Sequence, residues 1–285
     1  MALWRRSVPT VRPLDAGDRD AALAVCLRDP VGAVLAGVQA ERLGEPGPPG
    51  TELLGIFGSD DPDAGPAGLC WAGANLVPVQ VGELLMDDLV EHVRRRGRRC
   101  SSIVGPAEEV LSLWDRLAPV WTRPREVRPD QPSMVIDGDP AVPADPAVRL
   151  AQRDELAEVV PASVAMFTEE VGYDPTVVGG AYAARVAELV ANGRTYVRID
   201  RDEVIFKADV GALALGVAQI QGVWVHPDHR GQGLASAGMA AVVADVRARL
   251  APTVSLYVNS YNTAALALYD RVGFRRVGTY ATVLF

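Results

Sequence analysis

Residues 226 to 235 read His226-Pro227-Asp228-His229-Arg230-Gly231-Gln232-Gly233-Leu234-Ala235, entered from the apolar run Gly216 to Val225 and left into an amphipathic segment. This is a strand, a glycine-rich loop and a helix start. Arg230, Gly233 and Ala235 stand as R-x-x-G-x-A, with Gly231 a further small residue, so successive backbone N–H groups can face an anion without Cβ atoms in the way. The helix beginning near Ser236 adds its unpaired N-terminal donors and positive dipole end. The chemistry that follows is phosphate binding. A Walker A loop needs a Gly-Lys-Ser/Thr ending and a dinucleotide loop needs G-x-G-x-x-G, and the segment has neither.

A second block lies downstream. After a short apolar run, Val254 to Val258, comes Asn262-x-x-Ala265-x-x-Leu268-Tyr269-x-x-x-Gly273-Phe274. The two blocks at this spacing resemble the GCN5-related N-acetyltransferase (GNAT) superfamily, whose acyl-CoA pyrophosphate loop is Q/R-x-x-G-x-G/A. The resemblance implies an acetyl-CoA-dependent N-acetyltransferase, in which a primary amine attacks the thioester directly. It implies that Arg230, Gly231, Gln232, Gly233, Leu234, Ala235 and Ser236 hold the pyrophosphate and that the peptide groups around Val223 and Val225 bind the pantetheine arm. Tyr269 then stands where many members carry a tyrosine that protonates the departing thiolate, its other reading being a helix residue packed on the sheet. Asn259 and Asn262 either bond the cofactor or a water, or Asn262 caps the next helix.

The general base is open. Relatives use a glutamate on the strand before the loop, but Gly216 to Val225 offers only Gln219 and Gln221 as long polar side chains. Glu169, Glu170, Glu203 and Asp209 are alternatives. His226 is either a proton relay or an ordinary strand-ending turn residue. The resemblance brings the acceptor in opposite the cofactor, past Phe167 to Asp174, where Phe167, Glu169, Glu170 and Tyr173 suit a cationic amine beside an apolar body.

Asp137 to Pro146 reads D-G-D-P-A-V-P-A-D-P, an extended and exposed linker. It divides the chain into residues 1–138, residues 139–146 and a catalytic domain at 147–285. In the second half the apolar periodicities predict a strand at Pro146 to Leu150, helices over Gln152 to Phe167 and Val177 to Ala191, and a loop from Glu169 to Pro175. A hairpin around Arg201-Asp202, the strand, loop and helix already described, and terminal strands near Arg275 to Val277 and Thr282 to Leu284 complete it. The order β-α-α-β-β-β-α-β-α-β-β is that of the superfamily. The first half repeats part of it: a strand at Leu69 to Val79, a helix face at Leu85 to Val93, a strand at Cys100 to Val104 and a helix face at Val110 to Leu117. Its joining segment, Pro78 to Gly82, lacks R-x-x-G-x-A and is too short to wrap a pyrophosphate. The expectation is a mixed α/β (α+β) architecture of two tandem GNAT-like domains, each a mostly antiparallel sheet flanked by helices, the first degenerate.

Charge and composition bound the partners. A net charge of −8 over 285 residues argues against nucleic acid, and the basic cluster Arg94, Arg95, Arg96, Arg98 and Arg99 reads as a solvated helix end. No apolar run reaches the ~18 residues of a membrane span, so a cytoplasmic protein is expected. Cys26, Cys70 and Cys100 read as reduced core residues. His92, His226 and His229 lack ligand-like partners at short spacing, so no metal is expected. Lys207 is the single lysine among many arginines. The expected partner is a small-molecule or peptide amine, met by a monomer or homodimer. Two other readings stay open: a CoA-binding regulator without turnover, and a tandem transferase of a larger acyl group.

Overall fold

The computed structural model describes residues 10–47, 49–58 and 64–285. Two compact units emerge, one ending at Ser133 but taking in Gly278–Phe285, the other Met134–Val277. In the first, β1 (Val11–Pro13), α1 (Arg19–Cys26), α2 (Pro30–Glu41), β2 (Glu52–Ile56), β3 (Gly68–Ala72) and β4 (Asn75–Val79) are followed by α3 (Gly82–Arg96), β5 (Ser102–Pro106), α4 (Ala107–Leu117) and β6 (Glu126–Ile136). The next set is β7 (Arg149–Leu150), α5 (Leu156–Val171), α6 (Ala181–Ala191), β8 (Thr195–Asp200), β9 (Glu203–Ala214) and β10 (Val217–Val225). It continues with α7 (Leu234–Arg249), β11 (Thr253–Tyr257), α8 (Thr263–Val272) and β12 (Arg275–Leu284). Both sets run β-α-α-β-β-β-α-β-α-β.

The pairing repeats as well. β1 to β4 form an antiparallel series and β4 then pairs parallel with β5. Likewise β7 to β10 are antiparallel and β10 pairs parallel with β11. The first unit is closed by the chain's last residues: Tyr280–Leu284 of β12 pair antiparallel with Pro106–Ser102 of β5. Ala281 and Val283 thereby enter a core with Leu54, Ile56, Met86, Leu89, Ile103 and Leu113. The Tyr280 hydroxyl donates to the carbonyls of Val31 and Gly32 at 2.9 and 3.0 Å.

The second unit has an apolar layer on each face of its sheet. Phe206, Val210 and Ile220 meet Met239, Val242, Val243 and Val246 of α7, while Val197, Val204 and Trp224 meet Val159, Ala162, Val186 and Val190 of α5 and α6. The period-2 alternation of the strands puts successive residues in opposite layers. Among the described residues no helix is long and apolar enough to cross a membrane.

Four local expectations change. Leu69 to Val79 is two strands, because the chain reverses at Gly73-Ala74, where the Gly73 N–H bonds the Asn75 carbonyl. α5 runs on to Val171 and stops at left-handed Gly172, so Glu169 and Glu170 lie in its last turn and not in a loop. One strand, β12, replaces the two expected after α8. Asp137 to Pro146 is largely exposed but tethered: Asp137 pairs with Arg275, Asp139 with Arg247 and Asp145 with Arg198, and the Ala141 N–H bonds the Val272 carbonyl. The hairpin at Arg201-Asp202 forms as the sequence reads, both residues at positive φ.

Candidate active site

β10 organises the site. It pairs with β11 only over Val217–Gln219 against Thr253–Ser255, although both strands continue. Beyond Gln219 its described partner is β9, and there the register slips between Gln221 and Trp224. Gly222 and Val223 stand against the single residue Ala208 of β9 and form a bulge. Gly222 has φ +60°, which a side chain rarely adopts, and a Cβ there would lie 2.9 Å from Asp209 Oδ2 and 3.0 Å from Met166 Cε. At the bulge the Gly222 carbonyl accepts from Lys207 Nζ, and Val223 and Val225 are half-buried against the core.

The loop after β10 is built as its glycines require. Gly231 and Gly233 sit at φ +76° and +79°, and a Cβ on either would meet nothing within 4 Å. Gly233 is the N-cap of α7, so no side chain caps that helix and no acid stands in its first turn. The Leu234, Ala235 and Ser236 amides begin the helix at its positive dipole end. The helix starts at Leu234, two residues before the expected point. Arg230 turns back: its Nε donates to the Val225 carbonyl at 3.0 Å and its Nη2 to Glu169 Oε2 at 2.6 Å. Glu169 Oε1 also accepts from Trp224 Nε1 at 3.1 Å. Gln232 Nε2 donates to the Asp228 carbonyl at 3.3 Å, a bond within the loop.

Beneath the bulge, on the α5 and α6 face, Lys207 is fully buried. Its ammonium donates to Asp209 Oδ2 at 2.6 Å and to the Gly222 carbonyl at 3.3 Å. Directly across β8, Thr195 has a buried hydroxyl with no hydrogen-bond partner. Above them Phe167 meets Tyr173 and Tyr182 edge to face, each with ring centroids 5.2 Å apart, and the Tyr182 hydroxyl donates to the Ser163 carbonyl. Burial, with the Asp209 and Glu170 charges behind it, pushes the Tyr182 phenol well above its usual range.

Tyr269, on α8, is buried with its ring edge-on to Phe274. Desolvation first and the Glu170 charge second hold its phenol well above the ordinary value. Glu170 thus faces the tyrosines while Glu169 faces Arg230. Asn262 caps α8, its Oδ1 accepting from the Ala265 N–H at 3.1 Å.

His226, His229 and Glu203 come together at the far end of β10. His226 Nδ1 accepts from the Asp228 N–H and its Nε2 lies 3.2 Å from Glu203 Oε1, so both ring nitrogens are engaged within the protein. In the first unit the corresponding crossing from β4 to α3 takes two residues, Gln80 and Val81, where the second unit uses 226–233. Glu109, a residue sequence reasoning passed over, fills that helix start: its Oε2 accepts from the Val81 N–H at 3.1 Å, and burial raises its pKa above the ordinary carboxylate range. Lys207 and Trp224 were also missed as site residues. The signal for Lys207 was its being the lone lysine, two positions before an aspartate on one strand face.

Residues 139–274 match the Acetyltransferase (GNAT) family, and residues 52–159 match the domain of unknown function DUF4081. The chain is 42% identical over 60 residues to mycothiol acetyltransferase of Thermobispora bispora, 21% of this chain and 20% of that protein. The shared stretch thus spans a fifth of that relative. It is 28% identical over 120 residues, 40% of this chain and 76% of the other, to the peptidyl-lysine N-acetyltransferase YjaB of Salmonella typhimurium. A tandem GNAT protein from the clavulanic acid biosynthesis pathway has the same fold, with TM-score 0.53 and 16% identity, over 96% of this chain and 98% of that one. With the glycine loop, the strand bulge and the repeated element order, residues 139–274 thus resemble the GNAT family, and the chain as a whole shares the fold of a tandem GNAT protein.

Proposed function

We propose that the second unit is an acetyl-CoA-dependent N-acetyltransferase and that the first is a degenerate partner without a CoA site. The observation that carries this reading is the gap between β10 and β11, bulged at Gly222 and ending in an uncapped helix behind a glycine loop. Those are separate fittings for a thioester arm and for a pyrophosphate. The Leu234 to Ser236 amides hold the pyrophosphate, and the peptide groups near Val223 and Val225 align the pantetheine and polarise the carbonyl. The acceptor enters past Phe167, Tyr173 and Tyr182. Burial keeps the Tyr269 phenol protonated, the state from which it gives a proton to the leaving thiolate. Peptidyl-lysine, in the Salmonella relative's name, is an acceptor of the type this aromatic and acidic mouth fits. In the first unit Glu109 puts the protein's own carboxylate at the helix start, which disfavours a second phosphate there.

Thiol release from acetyl-CoA, measured across a panel of primary amines, tests the reading. Turnover with at least one amine is expected. CoA binding without turnover on any amine would instead favour a regulatory binder.

Arg230 must leave Glu169 to meet a phosphate. The pair is about half exposed, so breaking it costs roughly 0.2–1 kcal/mol. Glu169→Gln is therefore expected to tighten CoA binding by about 1.4- to fivefold in calorimetry. Weaker binding would place Glu169 on the productive side of the cofactor site.

A further inference from the structure

We propose that Asp209 takes the proton from an alkylammonium acceptor, with Lys207 as the positioning residue that holds its carboxylate beneath the β10 bulge. The inference rests on the transferase reading and adds the base and the acceptor class to it.

Three observations converge. First, the carboxylate lies against the bulge itself: Asp209 Oδ2 comes within 2.9 Å of where a Gly222 Cβ would stand, so only glycine there lets it approach the backbone that faces the thioester. Second, the one lysine among 28 lysines and arginines is spent on this carboxylate, wholly buried, with a second donor on the Gly222 carbonyl. A compact ammonium on a flexible stem can divide its donors in this way; a planar guanidinium cannot in the same space. Third, Thr195 presents an unpartnered buried hydroxyl on the same face directly across from Asp209, an acceptor for the carboxylic acid that proton uptake creates.

The charged and titratable groups facing Asp209 are Lys207 on its own strand and Tyr182 on α6, with Glu170 at the end of α5 facing the same phenol. Gln221 lies opposite on β10. The Lys207 ammonium, 2.6 Å from Asp209 Oδ2, offsets the carboxylate's negative charge in its buried place.

The step balances. An N–H bond of the ammonium breaks and its proton goes to Asp209. The freed lone pair bonds the thioester carbon, and the C–S bond breaks with its electrons on sulfur. Two protons leave the nitrogen overall: one ends on the thiol, and the other passes through Asp209 to solvent. Ammonium and thioester become amide, thiol and a proton.

The test compares two kinds of acceptor on the full chain. Alkylamines are protonated at pH 7; arylamines and hydrazides are already neutral and need no base before attack. Asp209→Asn is expected to lower kcat/KM for alkylamines by about 100-fold at pH 7, with the deficit shrinking toward pH 10 as free amine accumulates. Neutral acceptors should lose less than about fivefold, and the KM for acetyl-CoA should hold. The double variant Lys207→Met, Asp209→Asn removes both charges, and should show the same selectivity if the single variant fails to fold. A uniform loss across acceptors and pH, or no loss, overturns the role of Asp209 while leaving the transferase intact. A wild-type protein that acetylates no amine overturns the transferase reading, and this inference with it.

Discussion

Gly222→Val is expected to lower kcat by about 100-fold or more while CoA affinity at the glycine loop changes little. At φ +60° a β-branched residue costs about 1–3 kcal/mol in backbone strain. Its Cβ would also press on Asp209 Oδ2 at 2.9 Å, Met166 Cε at 3.0 Å and Lys207 Nζ at 3.3 Å. Two of those atoms belong to a buried ion pair that cannot simply swing into solvent, and overpacking of this kind costs about 1–3 kcal/mol more. The chain relieves both by straightening the bulge, which redirects the peptide groups proposed to align the thioester. A misplacement of about 1 Å is enough for a 100-fold loss. Steady-state kinetics with calorimetry separates the two effects. Unchanged kcat would mean that the bulge does not aim the thioester.

Tyr269→Phe is expected to lower kcat by about 100-fold with the acetyl-CoA KM nearly constant, the pattern of an interaction made only in the transition state. The ring packs edge-on to Phe274 within the core, and phenylalanine keeps that packing, so thermal stability should hold within a few degrees. The burial that raises the phenol above its ordinary range keeps it protonated throughout the working pH range, so its loss should be equally visible at pH 6 and pH 9. This separates it from Asp209→Asn, whose loss shrinks as pH rises. An unaltered kcat would return Tyr269 to a packing role.

What the sequence made legible was local. The loop at 226–235 and the helix carrying Tyr269 each rest on residues within one strand-turn-helix stretch, where glycine and periodicity speak directly. The repeated element order was half visible, since β3 to α4 carry clear apolar patterns whereas three-residue β1 and the small-residue helix α2 do not. Contacts between distant positions were not legible. Glu169 meets Arg230 across 61 positions, and the pairing of Tyr280–Leu284 with β5 spans most of the chain. The Lys207–Asp209 pair was written in the sequence as a K-x-D alternation. Its meaning came only from the register that sets Gly222 against it and Thr195 across from it.

The central claim is one CoA site, in the second unit, with its pyrophosphate at the start of α7. Calorimetric titration of the full chain with CoA tests it directly, using Gly233→Glu as the comparison. A Cβ at Gly233 meets nothing within 4 Å, so the fold tolerates the change at a backbone cost of about 1–2 kcal/mol, while the carboxylate stands where the phosphate belongs. The account predicts one CoA per chain and a loss of at least about 30-fold in affinity for Gly233→Glu, equivalent to ~2 kcal/mol. Two CoA molecules per chain, or an unchanged affinity in the variant, would contradict it.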